Sequence, residues 1–288
     1  MARRVVDLTV DPPRVERRGW DGLRGLRLRA ATRAAWMVDG VTERRGGVAT
    51  ADSSALDSRV FDPNAFDVDA ALEDRLGHRA SDWLAVRRVL QRLHVRPDDV
   101  LVDFGSGLGR VVLASAELPF RKVIGVEISE ELVARSRENL ASWRGRLLAG
   151  HAEVVHADAL DFEIPDDLTV AYLFCPFDRE IFDDVFRRLL ESVERHPRVL
   201  RMVYNFPRDH PRVIESGRAE LLDVAPGHWP PRPELAKDVI LTYLLLPEDG
   251  YARMPADAPR PHRSVKRHPE WLGPYDPGFS VPELAARR

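Results

Sequence analysis

Cysteine is almost missing from this sequence, and its scarcity excludes one way of stabilising a fold. Cys175 is the single cysteine among 288 residues, so no disulfide can form within the chain. A chain without disulfides suits a reducing compartment. The sequence also lacks any apolar run of about 18 residues and the apolar core of a secretory signal. We therefore expect no membrane span and a cytoplasmic location.

Several familiar catalytic signatures are missing as well. The chain has no Gly-x-Ser-x-Gly elbow, no His-Glu-x-x-His motif and no Cys/His cluster at zinc-binding spacing. No tyrosine is followed by a lysine four positions later, which argues against the Tyr-x-x-x-Lys pair of short-chain dehydrogenases. The sequence therefore gives no sign of a nucleophilic enzyme side chain, and we expect no metal.

The chain also lacks an excess of charge of one sign. The chain has 43 basic and 46 acidic residues, a formal net charge of −3. This balance gives no general reason to expect nucleic acid or an anionic membrane as a partner, and we predict neither. The hydrophobic content of 44% is ordinary and supports a sizeable core. Nothing in these totals indicates the oligomeric state.

The stretch from Val100 to Arg110 organises the rest of the chain. It opens with a short apolar run, continues with Asp103, and has glycines at positions 105, 107 and 109 before a helical pattern begins. A strand, a tight turn and a helix in this order form the first half of a βαβ unit. Glycines permit positive φ and close approach of a ligand, and the first N–H groups of the helix face the same place. The stretch predicts a cradle for a nucleotide-like ligand.

A second buried strand, over 122–127, ends in a carboxylate. Glu127 lies 18 positions after Gly109, close to where an acid binds the two hydroxyls of a ribose. Taken singly, Glu127 fits a surface acid at the end of a strand and Gly105 fits an ordinary turn glycine. Their order and spacing together favour a cofactor site.

The pattern Asp-x-Gly-x-Gly-x-Gly at 103–109, with Glu127 closing the next strand, resembles the first two motifs of class I S-adenosylmethionine-dependent methyltransferases. The resemblance covers roughly residues 50–248. It implies an α/β fold, a doubly wound and mostly parallel seven-stranded sheet whose last strand is antiparallel. We predict an N-terminal helical and lid extension over 1–80, a methyltransferase core over 81–248, and a Pro/Arg-rich C-terminal tail over 249–288.

Helices and strands are predicted from periodicity and capping residues. The predicted helices are 22–40, Ser81–His94, the turn's own helix to near Pro119, Ser129 to about Leu148, and 179–195. The later predicted strands are 153–156, 168–174, 199–203, 219–224 and 239–246. Within the acidic segment 49–76, the phrase Phe61-Asp62-Pro63-Asn64-Ala65-Phe66 resembles the segment that folds over the cofactor in related enzymes, and a solvated acidic surface is the alternative.

The resemblance also implies S-adenosylmethionine as cofactor and S-adenosylhomocysteine as product. Asp103 is expected to attract the donor's ammonium group, Glu127 to bind the ribose hydroxyls, and Asp158 to accept from the adenine amine. An N-cap is the alternative for Asp158. The implied cofactor-binding residues are Asp103, Gly105, Ser106, Gly107, Gly109, Glu127, Ile128, Asp158, Ala159 and Phe174.

The acceptor side of the site is expected beyond the fourth and fifth strands, because ligands of an open α/β sheet lie at the carboxyl ends of strands. The tetrad Cys-Pro-Phe-Asp at 175–178 departs from the Asn/Asp-Pro-Pro-aromatic signature, which argues against adenine-N6 and glutamine-N5 methylation. Asp178 is a catalytic candidate or only the cap of the next helix. His228 suits proton transfer near neutral pH or is a surface residue. The catalytic candidates are Asp178, Tyr204, Asn205 and His228.

We therefore predict an S-adenosylmethionine-dependent methyltransferase whose acceptor is a small molecule rather than a protein. A protein-lysine methyltransferase is one alternative, because the glycine turn and the glutamate after the strand are similar in non-SET histone-lysine enzymes. A non-catalytic S-adenosylmethionine-binding module is the second alternative. An NAD-dependent oxidoreductase on a related sheet is the third.

Overall fold

The computed structural model describes residues 37–50, 81–174, 179–227 and 239–261. These residues form a sheet with helices on both faces. Its strands are β1 (Val100–Phe104), β2 (Lys122–Glu127), β3 (Ala152–His156), β4 (Val170–Phe174), β5 (Leu200–Asn205), β6 (Ala219–Pro226) and β7 (Val239–Leu245). The described helices are α1 over 37–46, α2 (Trp83–Arg92), α3 (Arg110–Ala116), α4 (Glu130–Ser142), α5 (Arg179–Arg195) and α6 (His210–Glu215), followed by a 3₁₀ turn, Gly250–Arg253.

The seven strands lie in the order β3-β2-β1-β4-β5-β7-β6. The first five pair in parallel, and β7 is antiparallel to both of its neighbours, β5 and β6. The strand order reverses between β1 and β4, and such a switch point is where an open α/β sheet leaves a crevice for a ligand. The predicted fold class is thereby confirmed, including the antiparallel last strand.

Side chains alternate between two hydrophobic layers. Val102 and Phe104 lie on the face covered by α5, whereas Leu101 lies on the face covered by α2, α3 and α4. Asp103 alternates with Val102 and Phe104, so it lies on the second face. All five residues of β1 are buried. Asp103 is therefore a carboxyl group placed inside one of the two apolar layers.

Capping residues in the sequence predicted where most of the described helices begin, but one N-cap differs from the prediction. Ser129 caps α4, its hydroxyl accepting from the backbone N–H of Leu132. The N-cap of α2 is Asp82, not Ser81: the Asp82 carboxylate accepts from the backbone N–H of Ala85 at 2.8 Å. Asp is as good a cap as Ser, and here the aspartate frees the serine hydroxyl for a different contact.

Other boundaries of helices and strands also differ from the predicted ones. The structure extends β5 through Asn205, two residues beyond the predicted end, and adds α6, which the sequence did not predict. A helix this short, with Pro211 inside its first turn, carries too little periodicity to recognise. The described part of α1 covers 37–46 and includes residues 37–40 of the predicted helix 22–40, whose residues 22–36 lie outside the described ranges.

The described start of the predicted tail packs on the sheet. Met254 and Ala258 form a small apolar cluster with Leu244 and Leu246. The domain boundaries at residues 80 and 248 stay predictions. Across the ranges that the structure describes, no helix has the length and apolar character needed to cross a membrane.

Candidate cofactor site

The glycine turn is bonded to the end of β2. The backbone N–H groups of Gly105 and Ser106 both donate to the Val126 carbonyl at 2.9 Å, and Gly109 N donates to the Ser106 carbonyl at 2.9 Å. The φ angles of Gly105, Gly107 and Gly109 are 77°, 52° and 82°, a region that L-residues rarely adopt. The turn therefore needs glycines for its own path, and it rests against the strand that carries Glu127.

Gly109 is constrained by a neighbour as well as by its backbone angle. A Cβ atom at this position would lie 2.2 Å from the Ser136 hydroxyl oxygen of α4. A side chain at position 109 therefore requires the Ser136 hydroxyl to move, whereas the Cβ and Cα atoms of Ser136, at 3.4 and 3.8 Å, lie at ordinary contact distances.

The Glu127 carboxylate is fixed by the backbone on two sides. Its Oε2 accepts from the Gly107 N–H at 2.8 Å, and its Oε1 accepts from the Ser129 N–H at 3.0 Å. A carboxylate oxygen has two lone-pair sites, so each oxygen keeps one site for a further donor. Glu127 is 8% exposed, and the arrangement suits a pair of hydroxyl donors arriving from the crevice.

Asp103 is buried without such support. Its residue is 3% exposed, and no side-chain hydrogen bond joins it to another described residue. Burial, and then the nearby charge of Glu127, raise the pKa of the Asp103 carboxyl well above its usual range. Burying a carboxyl group without a partner costs free energy, and this cost is offset if a cationic group of a ligand binds there.

The remaining predicted cofactor residues lie along the ends of β2, β3 and β4. Ile128 follows β2 and is 65% exposed. The Asp158 carboxylate accepts from the Leu160 N–H at 2.8 Å within a turn, and no described helix begins there, so the N-cap alternative is wrong. Ala159 is buried beside it, and Phe174 is half-buried at the end of β4.

The two candidates of β5 face opposite sides of the sheet. Tyr204 lies in the layer of α5, where its hydroxyl donates to Asp209 at 2.9 Å and its ring stacks on Phe182 at 5.0 Å. Asn205 points to the face that carries Asp103. The structure therefore brings Asn205, and not Tyr204, to the side of the cofactor turn. Asp178 and His228 lie outside the described residues.

Asn205 belongs to a buried polar cluster that the sequence did not indicate. Its Nδ2 donates to the Tyr172 hydroxyl at 3.2 Å and to the Ser81 hydroxyl at 3.3 Å, and these two hydroxyls lie 3.4 Å apart. Burial raises the pKa of Tyr172, so this phenol stays neutral. The only available signal was a tyrosine inside an otherwise apolar strand.

The chain is similar to known methyltransferases over part of its length. Residues 101–198 match a family described as "methyltransferase domain". The chain is 34% identical over 90 residues to a protein-lysine N-methyltransferase of Saccharolobus islandicus, covering 31% of this chain and 53% of that protein. It is 31% identical over 149 residues to ribosomal RNA small subunit methyltransferase A of Streptomyces griseus, covering 51% and 46%. The chain thus spans about half the length of these relatives.

Solved structures give weaker likenesses. An RNA methyltransferase of Salinibacter ruber in complex with S-adenosyl-L-homocysteine is 23% identical with a TM-score of 0.38, covering 61% of this chain and 95% of that one. The glycopeptide N-methyltransferase MtfA complexed with sinefungin is 14% identical with a TM-score of 0.45, covering 65% and 98%.

One sequence-based prediction is wrong. Several relatives are named as ribosomal RNA methyltransferases, so the exclusion of nucleic acid is overturned, and the preference for a small-molecule acceptor is dropped with it. The exclusion rested on net charge, whereas phosphates are bound by local clusters of basic residues that a net charge of −3 does not reveal. Within the described ranges, no group of three or more His, Cys, Asp or Glu side chains gathers as metal ligands.

The matched domain covers the glycine turn, Glu127 and the strands that position them, and the sheet order is the one that the sequence resemblance implied. The match to a methyltransferase domain agrees with S-adenosylmethionine as the predicted cofactor. Residues 101–198 thus match a methyltransferase family, and the sheet order around them is the one expected of class I S-adenosylmethionine-dependent enzymes.

Proposed function

We propose that this chain binds S-adenosylmethionine at the carboxyl ends of β1 and β2 and transfers its methyl group to an acceptor. The buried Asp103 carboxyl is the observation that supports the proposal most strongly, because it has no described hydrogen-bond partner and lies immediately before the glycine turn. A buried carboxyl in that state is suited to an ammonium ligand.

The donor's three parts match three parts of the crevice. Asp103 binds the ammonium group of the methionine portion, and the glycine turn leaves room for the chain of that portion. Glu127, oriented by two backbone N–H groups, accepts from both ribose hydroxyls. Exposed Ile128 supplies an apolar surface for the adenine ring, and Asp158 with Ala159 forms the far edge of the adenine site. This fit supports S-adenosylmethionine as the ligand.

Methyl transfer from this donor requires the protein mainly to position the donor and the acceptor. Bound S-adenosylmethionine supplies a methyl group on a positively charged sulfur, which is already a good leaving group. Asp103 and Glu127 hold the donor on the two sides of its sulfonium, so its orientation relative to the acceptor is fixed, and such orientation replaces a large entropic part of the barrier. Asn205 shares the sheet face of Asp103 and is the described residue that we propose for acceptor contact.

The acceptor is best sought among macromolecules first. The relatives reported above are named for methylation of protein lysine and of ribosomal RNA. Labelled S-adenosylmethionine, incubated with the chain and with separate protein, RNA and metabolite fractions of an extract, identifies the class that takes up label. Tight donor binding without label in any fraction would instead favour the non-catalytic module. The cytoplasmic location stays a prediction.

Calorimetric titration tests the donor assignment. We expect S-adenosylmethionine and S-adenosylhomocysteine to bind and NAD not to bind at millimolar concentration. Asp103→Ala should weaken donor binding by at least about tenfold, whereas Asp257→Ala, at a carboxylate with a side chain 71% exposed, should not. Binding of NAD without either sulfur compound would refute the proposal.

A further inference from the structure

Arg110, the first residue of α3, has a guanidinium group buried under the N-terminal part of the chain. Its side chain is 6% exposed. Nε donates to the Thr50 hydroxyl at 2.8 Å, Nη1 donates to Asp39 at 2.9 Å and to the Ser81 carbonyl at 2.6 Å, and Nη2 donates to Glu43 at 2.7 Å. One side chain therefore joins α1, residue 50 and residue 81 to the end of the glycine turn.

The partners of this guanidinium also support one another. Glu43 Oε1 accepts from the backbone N–H of Thr50 at 3.1 Å and from its hydroxyl at 2.5 Å. The guanidinium also lies 5.5 Å above the centre of the Trp83 ring. Removing one partner of a buried ion pair is strongly destabilising, because the other charge stays buried without compensation. The cluster is therefore sensitive to the loss of any single member.

A second bridge joins the same segment to the turn from the other side. Asn139 of α4 donates through Nδ2 to the carbonyls of Ala49 at 3.0 Å and Leu108 at 3.1 Å, and its Oδ1 accepts from the Ala49 N–H at 3.1 Å. Leu108 lies within the turn itself. Residues 49 and 50 are thus hydrogen-bonded to side chains on both helices that pack against the turn.

We propose that Arg110 is a positioning residue for the methyl donor, which holds the glycine turn in its binding geometry by bonding the N-terminal residues 39–50 and 81. This inference rests on the proposed function. It goes beyond the proposed function because residues 37–50 lie outside the matched domain, 101–198, and because Arg110 is not among the predicted cofactor-binding residues.

The route from Arg110 to the donor is short and rigid. Arg110 directly follows Gly109, so a shift at the start of α3 moves the turn. The turn holds Glu127 through the 2.8 Å bond from the Gly107 N–H. A displacement of about 1 Å in a binding group is enough to cost much of its effect. Loss of the Arg110 contacts should therefore disorient the carboxylate that binds ribose.

Arg110→Met removes the guanidinium and keeps an aliphatic stem. We expect the Kd for S-adenosylhomocysteine to rise at least about tenfold. The matched control is Arg201→Met: Arg201 has a side chain 12% exposed, donates to Asp99 at 3.0 Å and lies in β5. That variant should lose stability but keep its Kd within about twofold. Equal Kd values for the two variants would overturn the inference.

Two milder variants keep the test decisive if Arg110→Met does not fold. Arg110→Lys keeps the charge but supplies fewer donors, and Glu43→Gln keeps an acceptor but removes a charge. The Kd should rise in the order wild type, Lys, Met, and Glu43→Gln should raise it at a temperature where the variant is fully folded. A folded Arg110→Lys or Glu43→Gln variant with the wild-type Kd contradicts the inference. Failure of the wild-type chain to bind S-adenosylhomocysteine contradicts the proposed function instead.

Discussion

Asp103 and Tyr172 occupy paired positions on neighbouring strands, and they differ in how their polar groups are satisfied. The two residues face each other across the parallel ladder of β1 and β4. The Tyr172 hydroxyl has hydrogen bonds with Ser81 and Asn205, whereas the Asp103 carboxyl has none among the described residues. The Tyr172 hydroxyl thus has hydrogen-bond partners within the protein, whereas the adjacent Asp103 carboxyl is available to a ligand.

This difference predicts proton release on donor binding. Burial and the charge of Glu127 raise the pKa of Asp103, so the free protein keeps a proton on this carboxyl to higher pH than an ordinary aspartate does. An ammonium group bound beside it favours the carboxylate, so the pKa falls and a proton leaves. Over the pH range in which the free Asp103 carboxyl titrates, the binding enthalpy of S-adenosylhomocysteine should therefore depend on the ionisation enthalpy of the buffer. Asp103→Asn should abolish that dependence, and a wild-type enthalpy independent of the buffer would contradict the prediction.

The second prediction concerns stability and pH at Asp39. Burial raises the pKa of Asp39 from 3.8 to about 6, although the Arg110 charge opposes the shift and Asp82 and Glu43 add to it. The native state therefore holds this proton more tightly than the unfolded state, and its contribution to stability falls as pH rises from about 4 to about 6, by about 3 kcal/mol. Urea unfolding across this range should show a decline that is reduced in Asp39→Asn. Identical slopes for both proteins would show that Asp39 titrates normally.

The third prediction separates crowding from backbone strain in the turn. Gly109→Ala introduces a Cβ atom 2.2 Å from the Ser136 oxygen at φ +82°, and we expect a loss of more than about 2 kcal/mol. Gly217→Ala is the matched control, because it has φ +66° and nothing within 4 Å. Its loss should be only about 1 kcal/mol. Adding Ser136→Ala should recover part of the first loss and none of the second, as measured by chemical denaturation.

The fourth prediction distinguishes the two polar residues of β5. Tyr204→Phe removes the bond to Asp209 on the face away from Asp103, so it should lower the free energy of unfolding by about 1 kcal/mol and leave the donor Kd within about twofold. Asn205→Ala should instead lower kcat once the acceptor is known. The reverse pattern, with Tyr204→Phe affecting turnover alone, would place the acceptor on the α5 side.

Local sequence was enough to predict the centre of the fold. The strand, glycine turn and helix from Val100 onward, and the carboxylate at the end of β2, follow from patterns that lie within about 30 residues of one another. The positions of Asp103 and Glu127 at one edge of the sheet follow from parallel pairing. These features were predictable because each depends on residues that lie close together in the sequence.

Contacts between distant segments were not predictable. Arg110 bonds residues that lie 29 to 71 positions earlier, and nothing in the local pattern distinguishes it from any other arginine after a turn. The opposite orientations of Tyr204 and Asn205 required the true end of β5, which the sequence placed two residues too early. A shift of one residue in a strand reverses the face to which its side chains point.

The insertion of β7 between β5 and β6 has a consequence for the order in which the chain is made. While a ribosome is still synthesising residues before 239, β5 has no neighbour on one side, because its partner there comes from Val239–Leu245. An apolar strand with one open edge invites pairing with other nascent chains. The protein should therefore be most vulnerable to aggregation late in translation, and a chain truncated before β7 should be a poorer folding unit than its length suggests.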